Sequence, residues 1–146
     1  MARDALEKKD PVDILARTIW GEARGEGYKG MQAIASVILN RSKYALSKKR
    51  GFWWGGDIVS VCLKPWQFSC WNKNDPNRKK LLTVTTYDRS FELALSIAQR
   101  AIDGELEDIT GGSDHYHTVT IKPFWAEGEE PVCQIGNHKF YSLYCT

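Results

Sequence analysis

The stretch Trp20-Gly-Glu-Ala-Arg-Gly-Glu-Gly-Tyr28 sets two carboxylates, Glu22 and Glu26, at the junction of two apolar-striped segments, with glycines around them. Upstream, Leu15 and Ile19 share one helical face and Glu22 is the next position on it, so an apolar stripe runs straight into a carboxylate. A carboxyl group half withdrawn from water at a helix C-terminus has its ionised form disfavoured by desolvation and by the negative end of the helix dipole. Both raise its pKa. Such a group keeps its proton near neutrality and can deliver it as a general acid. The competing reading is a solvated glutamate paired with Arg17, Arg24 or Lys29. Were the helix to continue, Glu22 and Glu26 would face each other at i, i+4 with Cβ atoms about 5–6 Å apart, near the roughly 5 Å carboxyl separation of a retaining glycosidase. Gly25 and Gly27 argue against that and place Glu26 in the connecting loop, supporting the site or capping the next helix.

Working outward, three helices are expected. The first begins at Asp10-Pro-Val-Asp13, with Asp10 as cap and Pro11 at the first helical position, ends by Gly25 and carries Glu22 at its exit. The second spans about Lys29 to Ser42, its face formed by Met31, Ile34, Ala35, Ile38 and Leu39. The third runs from about Arg89 to Asp103 behind Asp88 or Ser90, with Phe91, Leu93, Ala94, Ile97, Ala98 and Ala101 inward and Gly104 as its stop. A short helical turn is expected near Asp57 to Cys62.

Between the second and third helices lies an irregular, aromatic-rich stretch, Phe52-Trp-Trp54 and then Trp66-Gln-Phe68 to Trp71. Indoles beside polar Gln67, Ser69 and Asn72 suit a glycan groove, because sugar rings stack their C–H faces on aromatic platforms; the bland alternative is core filling. In the last third, Thr118-Val-Thr-Ile121 and the prolines Pro123 and Pro131 point to short strands or extended loops. His115 and His117 would share one face of a strand and, with His138, could form a three-histidine zinc site. Alternation could equally turn Tyr116 toward the functional face and leave the histidines as neutral hydrogen-bonding groups.

The run from Ala16 through Arg41, A-R-T-I-W-G-E-A-R-G-E-G-Y-K-G-M-Q-A-I-A-S-V-I-L-N-R, resembles the signature of the spore cortex-lytic and phage cell-wall hydrolase family. Three further blocks resemble that family in the same order: Gln67-Phe-Ser-Cys-Trp71, Asp108 to His117 with Pro123-Phe-Trp-Ala126, and Ile135-Gly-Asn-His-Lys-Phe-Tyr141. Together they cover nearly the whole chain. The resemblance implies a lysozyme-like, endolysin-like domain that cleaves peptidoglycan at the β-1,4 bond between N-acetylmuramic acid and N-acetylglucosamine, with Glu22 as the catalytic acid. Water attack would make it a muramidase; attack by the muramyl 6-hydroxyl would make it a lytic transglycosylase, as the resembling spore enzymes are. Glu26, Gln67, Ser69, Tyr116, His117 and Tyr141 are the expected supporting and substrate-binding residues.

Composition sets the frame. The 146 residues fit one α+β, mostly helical domain, with its core over about residues 11–145 and a small β or extended C-terminal portion. A formal charge of +2 gives no field that calls for nucleic acid, and the local clusters Lys48-Lys-Arg50 and Arg78-Lys-Lys80 read as solvated loop charge or as attraction to an anionic wall. No segment reads as a membrane span or secretory signal, so the expectation is cytoplasmic synthesis, a monomer without stable membrane insertion, and action on the wall after release through a holin pore or on lysis. Cys62, Cys70, Cys133 and Cys145 allow three full pairings, of which Cys62–Cys70 and Cys133–Cys145 close short loops, while cytosolic synthesis favours free thiols. No cofactor is required for proton delivery by a carboxylic acid. Two rival functions remain: a zinc-dependent amidase or peptidase built on His115, His117 and His138, and a non-catalytic wall-binding module that would not need Glu22.

Overall fold

A computed structural model of the chain describes residues 9–47, 54–65 and 67–144. The Lys48–Arg50 cluster, Phe52, Trp53, Trp66 and Cys145 lie outside these residues. The Asp10 carboxylate accepts from the Val12 N–H at 3.1 Å and Pro11 follows, so helix α1 runs Pro11–Ala23. A 3-10 turn over Arg24–Glu26 and a left-handed Gly27, at φ +74°, lead into α2, Gly27–Ser47. Gly27 rather than Gly25 supplies the positive φ at this bend. Helix α2 exceeds the expected Lys29–Ser42 at both ends, and Tyr44 continues its packed face by meeting the Trp54 ring at 5.1 Å.

Helix α3, Ile58–Leu63, starts where the Asp57 side chain accepts from the Ser60 N–H at 2.8 Å. Helix α4, Arg78–Thr83, corrects the reading of Arg78-Lys-Lys80 as loop charge. It is held because Leu81 is buried and Arg78 Nε donates to the Trp71 carbonyl at 3.1 Å, leaving Lys79 and Lys80 exposed. Helix α5, Arg89–Ile102, is capped by Asp88 through the Phe91 N–H at 3.0 Å and is followed by left-handed Gly104.

Helices α1, α2 and α5 pack on one another around a shared core. Ile14, Leu15 and Ile19 meet Met31, Ile34 and Ile38 with Phe91 and Ile97 there, each worth about 1.5–3 kcal/mol when withdrawn from water. Among the described residues no helix is long and apolar enough to cross a membrane. Cys62, Cys70 and Cys133 carry free thiols, so neither weighed bridge is formed by them.

Strands β1, His115–Thr118, β2, Cys133–Ile135, and β3, His138–Tyr141, form an antiparallel sheet in the order β1-β3-β2. Of the expected extended run Thr118–Ile121 only Thr118 belongs to a strand. Its partner β3 begins at His138, opposite Thr118, and the Ile121 N–H closes a turn on the Thr118 carbonyl at 3.1 Å instead. Opposed residues share a face, so the register places Tyr116, Thr118, His138, Phe140, Cys133 and Ile135 on one side. That side meets the helices, with Phe140 wholly buried. His115, His117, Lys139 and Tyr141 stand on the outer face.

Candidate active site

Glu22 leaves α1 in its last turn, and β1 delivers Tyr116 directly to it: the phenol donates a hydrogen bond to Glu22 Oε1. The 3-10 turn Ser69–Trp71 closes the other side. A Cβ on Gly21 would stand 2.8 Å from Cys70 Cβ, so only glycine lets this turn approach α1 so closely. Trp71 Nε1 donates to Thr18 Oγ1 at 2.9 Å and fixes the turn to the helix. Among the described residues Glu22 forms no salt bridge with Arg17, Arg24 or Lys29: Arg17 is engaged by Asp13 and by the carbonyls of Leu81 and Val84, Arg24 lies over the Trp20 ring at 4.3 Å, and Lys29 is exposed.

Electrostatics follow from this enclosure. Burial raises the Glu22 pKa above the ordinary carboxylate range, opposed by hydrogen bonding from Tyr116 and from the thiol and backbone of Cys70, and reinforced by the charge of Asp75. Burial and the neighbouring Glu22 keep the Tyr116 phenol protonated well above its usual range, so it acts as a donor at physiological pH. Burial likewise raises the Cys70 thiol, and pushes Cys62 up to about 12. Both are inert, protonated sulfurs near neutrality.

Gln67 is held by Arg41, whose Nη1 donates to Gln67 Oε1 at 2.5 Å while its Nε donates to the Asp114 carbonyl at 2.8 Å. This guanidinium is buried between the rings of Trp54 and Phe68, at 5.2 and 5.6 Å. Ser69 is exposed, one residue from Cys70. Of the described aromatics, Trp54 and Phe68 fill the core and Trp71 is half-buried on Thr18, which is the packing role rather than the open sugar platform.

Glu26 sits in the turn after α1 and caps nothing on α2. Its carboxylate accepts from the Asn137 backbone N–H at 2.6 Å and from Asn137 Nδ2 at 3.1 Å. Buried His138 brings Nδ1 to 3.6 Å from Glu26 Oε1 without a hydrogen bond, and burial lowers its pKa, opposed by Glu26 and reinforced by His117.

Tyr141 and His117, expected as supporting and substrate-binding residues, stand on the outer face, away from Glu22. Tyr141 is in register with His115, one position past inner-facing Phe140, and its hydroxyl bonds His117 Nε2 at 2.8 Å. His117 Nδ1 lies 2.7 Å from the Thr118 carbonyl, so it carries the proton and Nε2 accepts from the phenol. Trp125 packs on His115, His117 and Tyr141 at 4.8, 5.6 and 5.2 Å. A cavity of about 680 Å³ opens beside this cluster, lined by His117, Phe124, Lys139 and Tyr141 among others. The three histidines of the zinc reading do not converge, because His138 opposes Thr118 on the inner face while His115 and His117 face outward. Among the described residues no three such donors come together. The sequence reading missed Arg41, Cys70, Trp125 and Asn137 as parts of the site's frame, although each lies inside one of the resembling blocks.

Residues 25–141 match the Cell Wall Hydrolase family, and the chain belongs to that family. The matched segment begins just past Glu22. The chain is 27% identical over 129 residues to the spore cortex-lytic enzyme of Bacillus subtilis and 26% identical over 130 residues to that of Halalkalibacterium halodurans, in each case over 88% of its own length. It spans only about a third of those relatives, 36% and 34% respectively. Its fold is similar to the catalytic domain of the SleB protein of Bacillus cereus, at a TM-score of 0.67 and 26% identity over 90% of this chain and 89% of that one. The catalytic domain of the germination-specific lytic transglycosylase SleB from Bacillus anthracis gives the same TM-score at 27% identity, covering 90% and 93%.

Proposed function

We propose that the chain is a single catalytic domain that cleaves peptidoglycan glycan strands at the β-1,4 bond between N-acetylmuramic acid and N-acetylglucosamine, as a lytic transglycosylase with Glu22 as general acid and then base. The observation that carries this reading is the placement of Glu22 between Tyr116 and the Cys70 turn, with burial raising its pKa above the ordinary carboxylate range, as a general acid requires. Tyr116 donates to Oε1, so the acidic proton belongs on Oε2. Delivered to the glycosidic oxygen, it releases the N-acetylglucosamine end as its alcohol while the C1–O bond breaks and positive charge develops at the muramyl C1. The muramyl 6-hydroxyl then bonds to C1 and gives its proton to the Glu22 carboxylate, which restores the acid and leaves a 1,6-anhydro end.

This route needs one carboxylate at the bond, and Glu26, the other acid of the motif, is committed to Asn137. The lytic transglycosylase among the similar structures favours it over attack by water. Tyr116, bonded to Glu22, Ser69, on the turn beside it, and Gln67, held by Arg41 just before that turn, are the supporting residues; His117 and Tyr141 would hold more distant parts of the strand. The enzyme acts as a monomer, without nucleic acid, on a wall outside the cytoplasmic membrane, reached through a pore or on lysis.

Mass analysis of fragments released from purified peptidoglycan tests the reading. Anhydromuramyl ends are expected. Reducing muramic acid ends would make the enzyme a muramidase, reducing N-acetylglucosamine ends would move the cleaved bond, and released stem peptides with intact glycan would replace the reading by an amidase or peptidase.

A further inference from the structure

Two glycines are fitted around Glu26. A Cβ on Gly30 would stand 2.2 Å from Glu26 Cβ, and one on Gly136, itself at φ +56°, would stand 2.7 Å from Glu26 Oε1. Helix α2 and the β2–β3 turn therefore both close on this side chain to a distance that no larger residue permits. Its two oxygens take the two N–H donors of Asn137, one from the backbone and one from the side chain. A carboxylate suits this fork because it offers acceptors only; an amide would turn an NH₂ against one of the donors.

Asn137 immediately precedes β3, and the next residue carries the grip to the site. The His138 ring stands edge-on to the Tyr116 ring at 5.3 Å and 85°, and Phe140 flanks the same ring at 5.8 Å. Tyr116 then donates to Glu22. We propose that Glu26 is a positioning residue: by clamping Asn137 it fixes the start of β3, and through His138 it holds the Tyr116 hydroxyl on Glu22. This deepens the reading of Glu22 as the acid and rests on it. It also assigns the second glutamate of the motif a task other than that of a second carboxylate at the cleaved bond.

The test is a direct ¹³C NMR titration of the Glu22 carboxyl, assigned by difference from Glu22→Gln. The groups that face Glu22 are Tyr116, Cys70 and Asp75. Losing the Tyr116 bond removes a group that favours the carboxylate, so Tyr116→Phe should raise the Glu22 pKa. Glu26→Ala should move it the same way by about half a unit, and Glu26→Gln by less. Loss of the Glu26 charge acting directly would lower it, so the sign separates the two causes. In a Tyr116→Phe background Glu26→Ala should add nothing. Should Glu26→Ala not fold, Asn137→Ala, which leaves the charge and the backbone clamp in place, should give a smaller upward shift that Tyr116→Phe also abolishes. An unmoved Glu22 in folded variants, or equal shifts in both backgrounds, would overturn the proposal. Because titration reads protonation and not lysis, a fully active Glu22→Gln enzyme would defeat the acid reading while leaving this result legible.

Discussion

The two faces of the small sheet carry similar residues and do different work. On the inner face Tyr116 and His138 sit among Phe140 and the helices, where a single phenol reaches a carboxylate whose pKa is raised by burial. On the outer face His117 and Tyr141 bond each other beneath Trp125, at the edge of an open cavity. Because side chains alternate along a strand, half-buried neighbours in sequence are divided between a side that packs on Glu22 and the helices and a side that borders the cavity. Under the proposed function, chemistry belongs to the inner face and recognition to the outer.

The largest test is at Glu22. Glu22→Gln keeps the shape and removes the titratable proton, so turbidity loss of purified walls should fall by at least about a hundredfold with circular dichroism unchanged. Near-normal lysis would mean that the inner compartment is not where bond cleavage happens. The same variant should also be more stable than the parent. Glu22's pKa is raised in the folded state, so the stability it contributes is complete below its ordinary pKa near 4.5 and is lost as pH rises through the folded value. The melting temperature of Glu22→Gln relative to the parent should therefore climb from pH 4 toward neutrality and then level off; a gap that shrinks over that range would contradict the enclosure.

Tyr116→Phe sharpens the division. Losing one hydrogen bond to an ionisable group costs about 1.5 kcal/mol, so activity should drop roughly tenfold. The upper limb of the pH–rate profile should move to higher pH, since the lost donor favoured the ionised acid. A limb that moves down, or stays in place, would leave Tyr116 as packing only.

Much of this was legible because it is periodic or capped. Asp10-Pro11, Asp57 and Asp88 start helices through their own side chains, and the Leu15–Ile19–Glu22 stripe carries the acid out of the core on the same face that the sequence shows. Helix α4 was not legible, since Arg78-Lys-Lys80 looks solvated until Arg78 is seen to close on the Trp71 carbonyl. Nor could pairing be read: alternation states that Tyr116 opposes His115 and His117, but which side faces the helices depends on the 24-residue separation between His117 and Tyr141 closing in one register. Glu26 was placed in its loop correctly, yet its partner Asn137 lies 111 residues away and no local pattern connects them.

The outer face should respond weakly to substitution. His117→Ala removes two hydrogen bonds, to Tyr141 and to the Thr118 carbonyl, but neither reaches Glu22, so cleavage of soluble wall fragments should change by only about twofold. Binding to intact walls in a sedimentation assay should fall more than cleavage does. A loss as large as that of Tyr116→Phe would erase the distinction between the faces.

The smallest expected effect is that of metal removal, and it is the sharpest check on the outer histidines. His115 Nδ1 is paired with Asp114 at 2.8 Å, and both nitrogens of His117 are occupied by Thr118 and Tyr141. Their third partner in a zinc site, His138, is turned to the other face of the sheet, where its Nδ1 looks toward Glu26. Assembling a tetrahedral centre would therefore require turning a strand over, which would withdraw Tyr116 from Glu22 at the same time. Exhaustive chelation followed by zinc readdition should change the lysis rate by less than about twofold, whereas a zinc enzyme loses its activity with its metal. Chelator inactivation restored by one equivalent of zinc would show that the outer face, not the inner one, performs the reaction.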